Sequence, residues 1–266
     1  MAVSQGFKRL FFDIETSPNV GFFWEAGFDK QIPYDNIIKE RAIICICYKW
    51  EGSNKVYSLN WDANQCDKAM LKDFIKVAES ADELVGHNGD KFDLKWIRTR
   101  CLIHKIKMMP DYVTVDTLKV SRSKFKFNSN RLDYIAKFLG HGGKNNNSGF
   151  GLWKEVIINK SKKGLKDMLT YCKNDVVILE KVFHSLNDYI KQKSHVGVVE
   201  GEHKWSCPKC GGNVGLTLIK EHVTSAGTVS VYMRHKDPKC WHNFKLSQAT
   251  YKAKKKYELT MKVKAL

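Results

Sequence analysis

From Lys8 onward the chain alternates two kinds of hydrophobic pattern. KRLFFDI (8–14) and RAIICICYKW (41–50) are short, almost continuous apolar runs, and NKVYSLNW (54–61) alternates apolar and polar residues. All three predict strands. CDKAMLKDFIKVAE (66–79) then changes to helical spacing, with Met70, Leu71, Phe74 and Val77 on one face. ELVGHN (83–88) predicts a short buried strand, DLKWIRTRCLI (93–103) a helix and VTVDTL (113–118) a last short strand. NRLDYIAKFLG (130–140) predicts a helix closed by Gly140, and a long helix is expected from about Gly164 to Lys193. Three early strands followed by alternating strands and helices predict an α/β fold, a sheet of mixed direction flanked by helices.

The pattern changes twice later in the chain. GHGGKNNNSGFG (140–151) is dominated by Gly and Asn and is expected to be a mobile loop, either a plain connector or a cover over a substrate groove. Helical spacing ends near SHVGVVEGEHK (194–204), and from His203 to about Ser247 only short strand-like runs occur. LTLIKEHV (216–223) and TVSVYMRH (228–235) flank TSAGT as a hairpin. The lysine-rich YKAKKKYELTMKVKAL (251–266) reads as a solvated, frayed end, with added phosphate contacts as the other reading. The expected organisation is therefore a main domain over 1–198, a small β module over 199–250 and a basic tail over 251–266.

Charge narrows the choice of partner. Lys and Arg number 45 against 28 Asp and Glu, a net +17, and a surplus of that size points to a polyanion such as nucleic acid. No run reaches the length of a membrane span, and the N-terminus MAVSQGFKRL has no apolar core of a signal peptide. Cys45, Cys47, Cys101 and Cys172 sit among apolar residues as small core side chains. The eight cysteines do not form a disulfide framework, so a reducing, cytoplasmic compartment is expected.

Acidic residues recur where apolar patterns end. Asp13 and Glu15 lie two apart on a strand, hence on one face, with Ile14 turned the other way. Adjacent carboxylates repel unless a cation lies between them, and a hard divalent ion suits oxygen donors. Asn88 and Asp93 bracket the start of a helix; a helix N-terminal carboxylate accounts for Asp93 but not for the spacing from Asn88. Tyr171 and Asp175, four apart, share a helix face with Cys172, Val176 and Leu179 around them. An Asp on the core side of a helix is costly unless partnered.

These stretches resemble, in order, the three motifs of the DEDD superfamily of 3′–5′ exonucleases: D-x-E at Asp13 and Glu15, N-x3-F-D at Asn88, Phe92 and Asp93, and Y-x3-D at Tyr171 and Asp175. Tyr171 resembles the DEDDy branch; the position that would carry histidine in the DEDDh branch is Thr170. The flanking sequence is similar to the proofreading exonuclease domain of family B DNA polymerases, over roughly residues 8–190, with no room for a polymerase domain. The resemblance implies a ribonuclease H-like fold and two Mg²⁺ or Mn²⁺ ions about 4 Å apart on a scissile phosphate. It implies that Asp13 bridges both ions, that Glu15 and Asp175 complete one site and that Asp93 serves the other. Tyr171 would orient the attacking water, and Thr16 and Asn88 would lie against the terminal nucleotide. Phe22, Phe23 and Trp24 follow the first motif and are expected in the core, with stacking on unpaired bases as the other reading.

The implied activity is a 3′–5′ exonuclease on single-stranded or frayed DNA, from a phage or bacterial source. An RNA 3′–5′ exonuclease, a structure-specific endonuclease and a non-catalytic nucleic-acid-binding protein are the other readings. Cys207-x2-Cys210 followed by Gly211 and Gly212, with His235 and Cys240 after a hairpin, looks like a zinc ribbon holding one structural Zn²⁺. Its second knuckle departs from C-x2-C, and His242 competes with His235 as the fourth ligand.

Overall fold

The computed structural model describes residues 6–25, 27, 31–143, 149–238 and 240–264. The chain forms two compact units, Lys8–Ile190 and Lys191–Leu266 together with the N-terminal residues through Phe7.

The larger unit is built on strands β1 (Arg9–Thr16), β2 (Val20–Gly21), β3 (Ile37–Lys39), β4 (Ile43–Trp50), β5 (Tyr57–Asn60), β6 (Glu83–Gly86) and β7 (Thr114–Asp116). Its helices are α1 (Lys68–Glu79), α2 (Asp93–Ile103), α3 (Thr117–Lys124), α4 (Leu132–Phe138), α5 (Phe150–Ile157) and α6 (Lys162–Leu186). Five strands make one sheet in the order β5-β4-β1-β6-β7. β4 lies antiparallel to β1 and β5, whereas β6 runs parallel to β1 and to β7. This is the mixed sheet expected from the sequence, and both faces are covered, as parallel strands require. β2 and β3 pair separately.

Strand period divides the core in two. Leu10, Phe12, Ile14, Ile46 and Tyr48 pack with Leu71 and Phe74 of α1 and Leu94 and Ile97 of α2. Phe11, Cys45 and Cys47 pack the other way, with Met168, Cys172, Val176 and Phe183 of α6. Asp13 and Glu15 have the parity of Phe11 and so belong to the α6 face. Within α1, Ile75 and Ala78 join Met70, Leu71 and Phe74 in full burial, while Val77 is only half-buried against that core. The Ser161 hydroxyl starts α6 by accepting from Gly164 N at 3.0 Å, an N-cap. α6 ends at Leu186, short of Lys193, because the chain tightens into a 3-10 turn over Asn187–Tyr189.

A buried ion cluster ties the α2 side to the sheet. Both carboxylate oxygens of fully buried Asp67 accept from Arg100, from Nε at 2.7 Å and Nη2 at 2.9 Å. Ile43 N at 2.9 Å and His104 Nε2 at 2.6 Å complete the shell. Burial alone would raise the Asp67 pKa; the bonds from Arg100, Ile43 N and His104 outweigh it and hold the carboxyl below its ordinary value. A lowered folded-state pKa means that this stabilisation is present above the unfolded-state pKa and fades as pH falls through the folded one. Asp67→Ala strands the Arg100 charge and is expected to cost about 3–5 kcal/mol in denaturant unfolding at neutral pH. Its deficit relative to the parent should shrink under acid conditions.

The smaller unit contains α7 (Val196–Val199), β8 (Leu216–Val223), β9 (Val229–His235), β10 (His242–Ser247) and α8 (Gln248–Lys264). The strands form an antiparallel sheet ordered β10-β9-β8, with β8 and β9 as the hairpin read from the sequence. Val196 N donates to Pro208 O, so residues 191–198 fold with this unit and the expected boundary after 198 falls inside it. Over its described residues the tail is not frayed. Gln248–Lys264 is helical, Tyr251 packs on the core of Val231, Met233 and Leu246, and Tyr257 meets the rings of His203 and Trp205. Ala, Lys, Glu, Leu and Met are strong helix formers; Lys252, Lys255, Lys256 and Lys262 are exposed, whereas Lys254 is buried and donates to Glu258. Residues 144–148 of the Gly- and Asn-rich segment lie outside the described residues; α5 already begins at its end, at Phe150.

Candidate active site

The site forms where the parallel strands β1 and β6 part. They pair only from Arg9–Glu83 to Phe11–Val85, which leaves the carboxyl end of β1 open on that side. Beyond Gly86 the chain turns sharply. A Cβ on Gly86 would lie 2.9 Å from the Cα of Gly89, so the turn depends on having no side chain there. α2 begins directly after it, and Asp93, its first residue, reaches back to β1: its Oδ1 accepts from Ile14 N at 3.1 Å. On the other edge, Glu15 faces Cys45 but Thr16 faces Ile43. The extra residue, Ile44, is on β4, so it is β4 that bulges beside the acid-bearing end of β1.

α6 crosses the same end of β1 and brings Asp175 to the acids. Ligand-capable oxygens of Asp13, Glu15 and Asp175 all lie within 4.8 Å of one another. Asp175 is 3 % exposed, held at that depth by Cys172 and Val176 on the same helix face. The Cys172 thiol donates toward Asp13, with Sγ 3.5 Å from its carbonyl oxygen and 3.7 Å from Oδ2. Burial pushes the Cys172 thiol well up, so it stays neutral beside the acids. Asp93 is equally buried but lies outside the three-carboxylate cluster. Burial pushes its carboxyl up to about 7, against the pull of backbone hydrogen bonds from Asp93 and Ile14, and the charge of Asp116 adds to the rise.

A cleft of about 710 Å³ opens at the acids, lined by Asp13, Tyr171 and Asp175 and walled by residues that no sequence motif marks. These include His87, Arg122, Asn128, Asn130, Arg131 and Asp133. His87 holds this wall in place: Nδ1 lies 2.9 Å from Thr117 Oγ1 and Nε2 lies 2.9 Å from Asn130 O. Thr16 and Asn88 do not line the cleft. Thr16 O accepts from Trp153 Nε1 at 3.0 Å. Asn88 sits at φ 68°, a conformation asparagine tolerates, and its N–H donates to Asp116 Oδ1 at 2.9 Å. Asp116 also accepts from Leu118 N and Lys119 N as the N-cap of α3. An Asp-Thr pair after a short strand was the available signal for that cap. Phe22, Phe23 and Trp24 are exposed, not core; they belong to the β2–β3 excursion, outside both layers of the sheet.

The fit to divalent cations rests on the donor set. Three carboxylates converge within 4.8 Å of one another, and two of them, Asp13 and Asp175, line the open cleft, an arrangement of like charges suited to a hard cation. A second cluster lies in the smaller unit. Ligand atoms of Cys207, Cys210, His235 and Cys240 also fall within 4.8 Å of one another. Cys210 Sγ is 3.3 Å from His235 Nδ1, and the sulfurs of Cys207 and Cys240 are 3.7 Å apart. His242 is not in the group. Hydrogen bonding from Cys207 lowers the Cys210 thiol to about 5 against the effect of burial. Three sulfurs and one imidazole nitrogen are a zinc donor set. Cys66, Asp67 and His104 also approach one another, but Asp67 there already holds the Arg100 guanidinium.

A mixed five-stranded sheet flanked by helices, with acids at the carboxyl end of its central strand, defines the class. The RNase H superfamily model matches residues 38–187, more than half of the chain, and the chain belongs to that superfamily. The match spans Asn88, Asp93, Tyr171 and Asp175 and starts after β1. Among solved structures, the chain is similar to the family B DNA polymerase from the hyperthermophilic archaeon Pyrobaculum calidifontis, with a TM-score of 0.54 and 14 % identity. The similarity covers 73 % of this chain and 26 % of that polymerase, so the chain spans about a quarter of its length, and at this identity the likeness is one of fold. No curated protein matches the sequence. Superfamily membership supports a nuclease, a hydrolase with nucleic acid as substrate. Among the described residues no helix is long and apolar enough to cross a membrane.

Proposed function

We propose that the protein is a DEDDy-type 3′–5′ exonuclease that releases nucleotides from DNA 3′ ends by metal-dependent phosphodiester hydrolysis. The observation that carries this reading is the convergence of Asp13, Glu15 and Asp175 beneath a cleft that also presents Tyr171. These three acids would hold Mg²⁺ or Mn²⁺, with Asp93 serving a second ion. When bound, such ions neutralise phosphate charge and lower the pKa of water. Arg122 and Arg131, in the cleft wall, grip the phosphodiester through their guanidinium groups. Tyr171 orients the attacking water with its hydroxyl. In this reading the Cys207, Cys210, His235 and Cys240 cluster holds a structural Zn²⁺ in a zinc-ribbon-like module that grips nucleic acid, and the lysines of 251–266 add phosphate contacts.

A 5′-labelled single strand incubated with Mg²⁺ or Mn²⁺ tests the assignment. Stepwise shortening from the 3′ end is the expected result. Internal cuts would make the protein an endonuclease, a preference for ribo-oligonucleotides an RNA exonuclease, and no cleavage a binding protein alone. Tyr171→Phe removes one hydroxyl from the cleft. It is expected to lower kcat by about 10²-fold, in the range of a positioned proton-handling group, with KM for the oligonucleotide unchanged. A rise in KM at constant kcat would instead place Tyr171 in substrate binding.

A further inference from the structure

The positive charge of the chain is concentrated in its smaller part. Residues 191–266 carry 15 Lys and Arg against 5 Asp and Glu, most of the surplus in a chain of net +17. The three-stranded sheet of this unit turns Val231, Met233, Phe244 and Leu246 toward its core. The strand registers set the opposite face. Tyr232 pairs with Lys220 on one side and Lys245 on the other, and Arg234 pairs with Thr217 and Asn243. Directly opposed residues share a face, so these side chains stand together. Glu221, the one acid in the three strands, faces Val231 and has the other parity.

On that face every cation meets an aromatic ring. Lys220 Nζ and Lys245 Nζ lie 5.4 Å and 5.9 Å from the centre of the Tyr232 ring. The Arg234 guanidinium lies 5.3 Å from the Trp241 ring and is braced by a 2.9 Å bond from Nε to Asn243 Oδ1. Lys220 and Lys245 are exposed, and Trp241 is 54 % exposed. Trp241 also sits at φ 33°, a region that bulky residues rarely occupy. Its backbone therefore holds a large ring out in solvent at a local cost, the kind of strain that collects at ligand sites.

We propose that this sheet face is a binding site for single-stranded nucleic acid. Tyr232 and Trp241 stack on unpaired bases, and Lys220, Arg234 and Lys245 hold the intervening phosphates. A cationic surface alone would take any polyanion. Aromatic rings interleaved with the cations select bases whose faces are free, which a duplex does not offer. Exposed cation–π contacts are weak, so the lysines can move from ring to phosphate as a base arrives. The proposal rests on the reading of this module as one that grips nucleic acid; it uses none of the carboxylates and does not require that the protein cleave its ligand.

The test is fluorescence anisotropy of a labelled oligothymidylate with the full-length, zinc-loaded protein and no added Mg²⁺ or Mn²⁺. Trp241→Ala and Tyr232→Ala should each weaken binding about tenfold or more, while Trp241→Phe and Tyr232→Phe stay near the parent. The double variant Lys220→Ala/Lys245→Ala should reduce the slope of log K against log salt by roughly 1.4, two phosphate contacts on a single strand. Zinc content and far-UV dichroism check the fold of each variant, and exposed Trp241 decides the matter if the Tyr232→Ala variant unfolds. Parent-like affinity in folded Trp241→Ala overturns the proposal. So does a loss confined to the lysine variant and equal toward heparin, which would mark a surface for acidic partners. Cleavage is read separately with Mg²⁺, so an inactive nuclease that still shows the aromatic effect would overturn the catalytic reading alone.

Discussion

Replacing Asp13 or Asp175 with alanine is expected to lower 3′-end cleavage by roughly 10³-fold or more, the scale on which a preorganised charge-stabilising group acts. The fold and most of the nucleic-acid binding should persist. The argument is electrostatic. Three carboxylates within 4.8 Å of one another repel in the absence of a cation, so deleting one relieves the protein while removing a donor. Without divalent metal, the melting temperature of Asp13→Ala should equal or exceed that of the parent. Adding Mg²⁺ or Mn²⁺ should raise the parent's melting temperature through linkage and leave that of the variant nearly unmoved. Asp175 is buried at the helix–strand contact, so Asp175→Asn, which keeps the volume, is the cleaner partner experiment. Full activity in either variant would remove these acids from the chemistry. Lost activity with an intact Mg²⁺-dependent shift would show that the ions bind elsewhere.

The acids were legible because each sits on a rigid period. Asp13 and Glu15 follow a strand's period of two, and Tyr171 and Asp175 follow a helix's i, i+4 spacing; both survive any error in where an element ends. The same holds for β1, β4 and the start of α6. The cleft wall was not legible. Asn128, Asn130 and Arg131 lie on a connector whose place is set by His87 reaching Asn130 O across 43 residues, and no local pattern encodes such a contact. α3 was hidden by its composition: TLKVSRSK has little apolar periodicity and is started by the Asp116 cap. α5 was hidden by the Gly- and Asn-rich stretch before it. Phe22, Phe23 and Trp24 show the limit of hydrophobicity itself, since three aromatics in a row marked core on the page yet stand in solvent.

The second large effect concerns the Cys207, Cys210, His235 and Cys240 cluster. Removing zinc, by a thiol-compatible chelator or by Cys207→Ser, is expected to unfold the smaller unit and leave the sheet of the larger one intact. Its apolar core consists of Cys207, Val231, Met233, Cys240, Phe244 and Leu246, with Trp205, Leu216 and Tyr251 at the margin. Two of the buried members are themselves proposed ligands, so what remains without metal is too small to hold a three-stranded sheet. Structural zinc typically supplies about 10–16 kcal/mol of apparent binding free energy to such modules, enough to make folding and metal binding one event. The backbone is shaped for that closure: a Cβ on Gly212 would lie 2.8 Å from His235 Cε1 and 3.5 Å from Cys210 Sγ. Gly212→Ala should therefore weaken zinc retention without touching a donor atom. Hydrogen exchange is the decisive readout. Chelation should abolish protection in β8, β9 and β10 and leave β1, β4 and α6 unchanged. His235→Ala should reproduce the loss, and His242→Ala should keep both zinc and protection. Strands that stay protected in a zinc-free protein would show that the cluster is a set of packed thiols and not the metal centre of this unit.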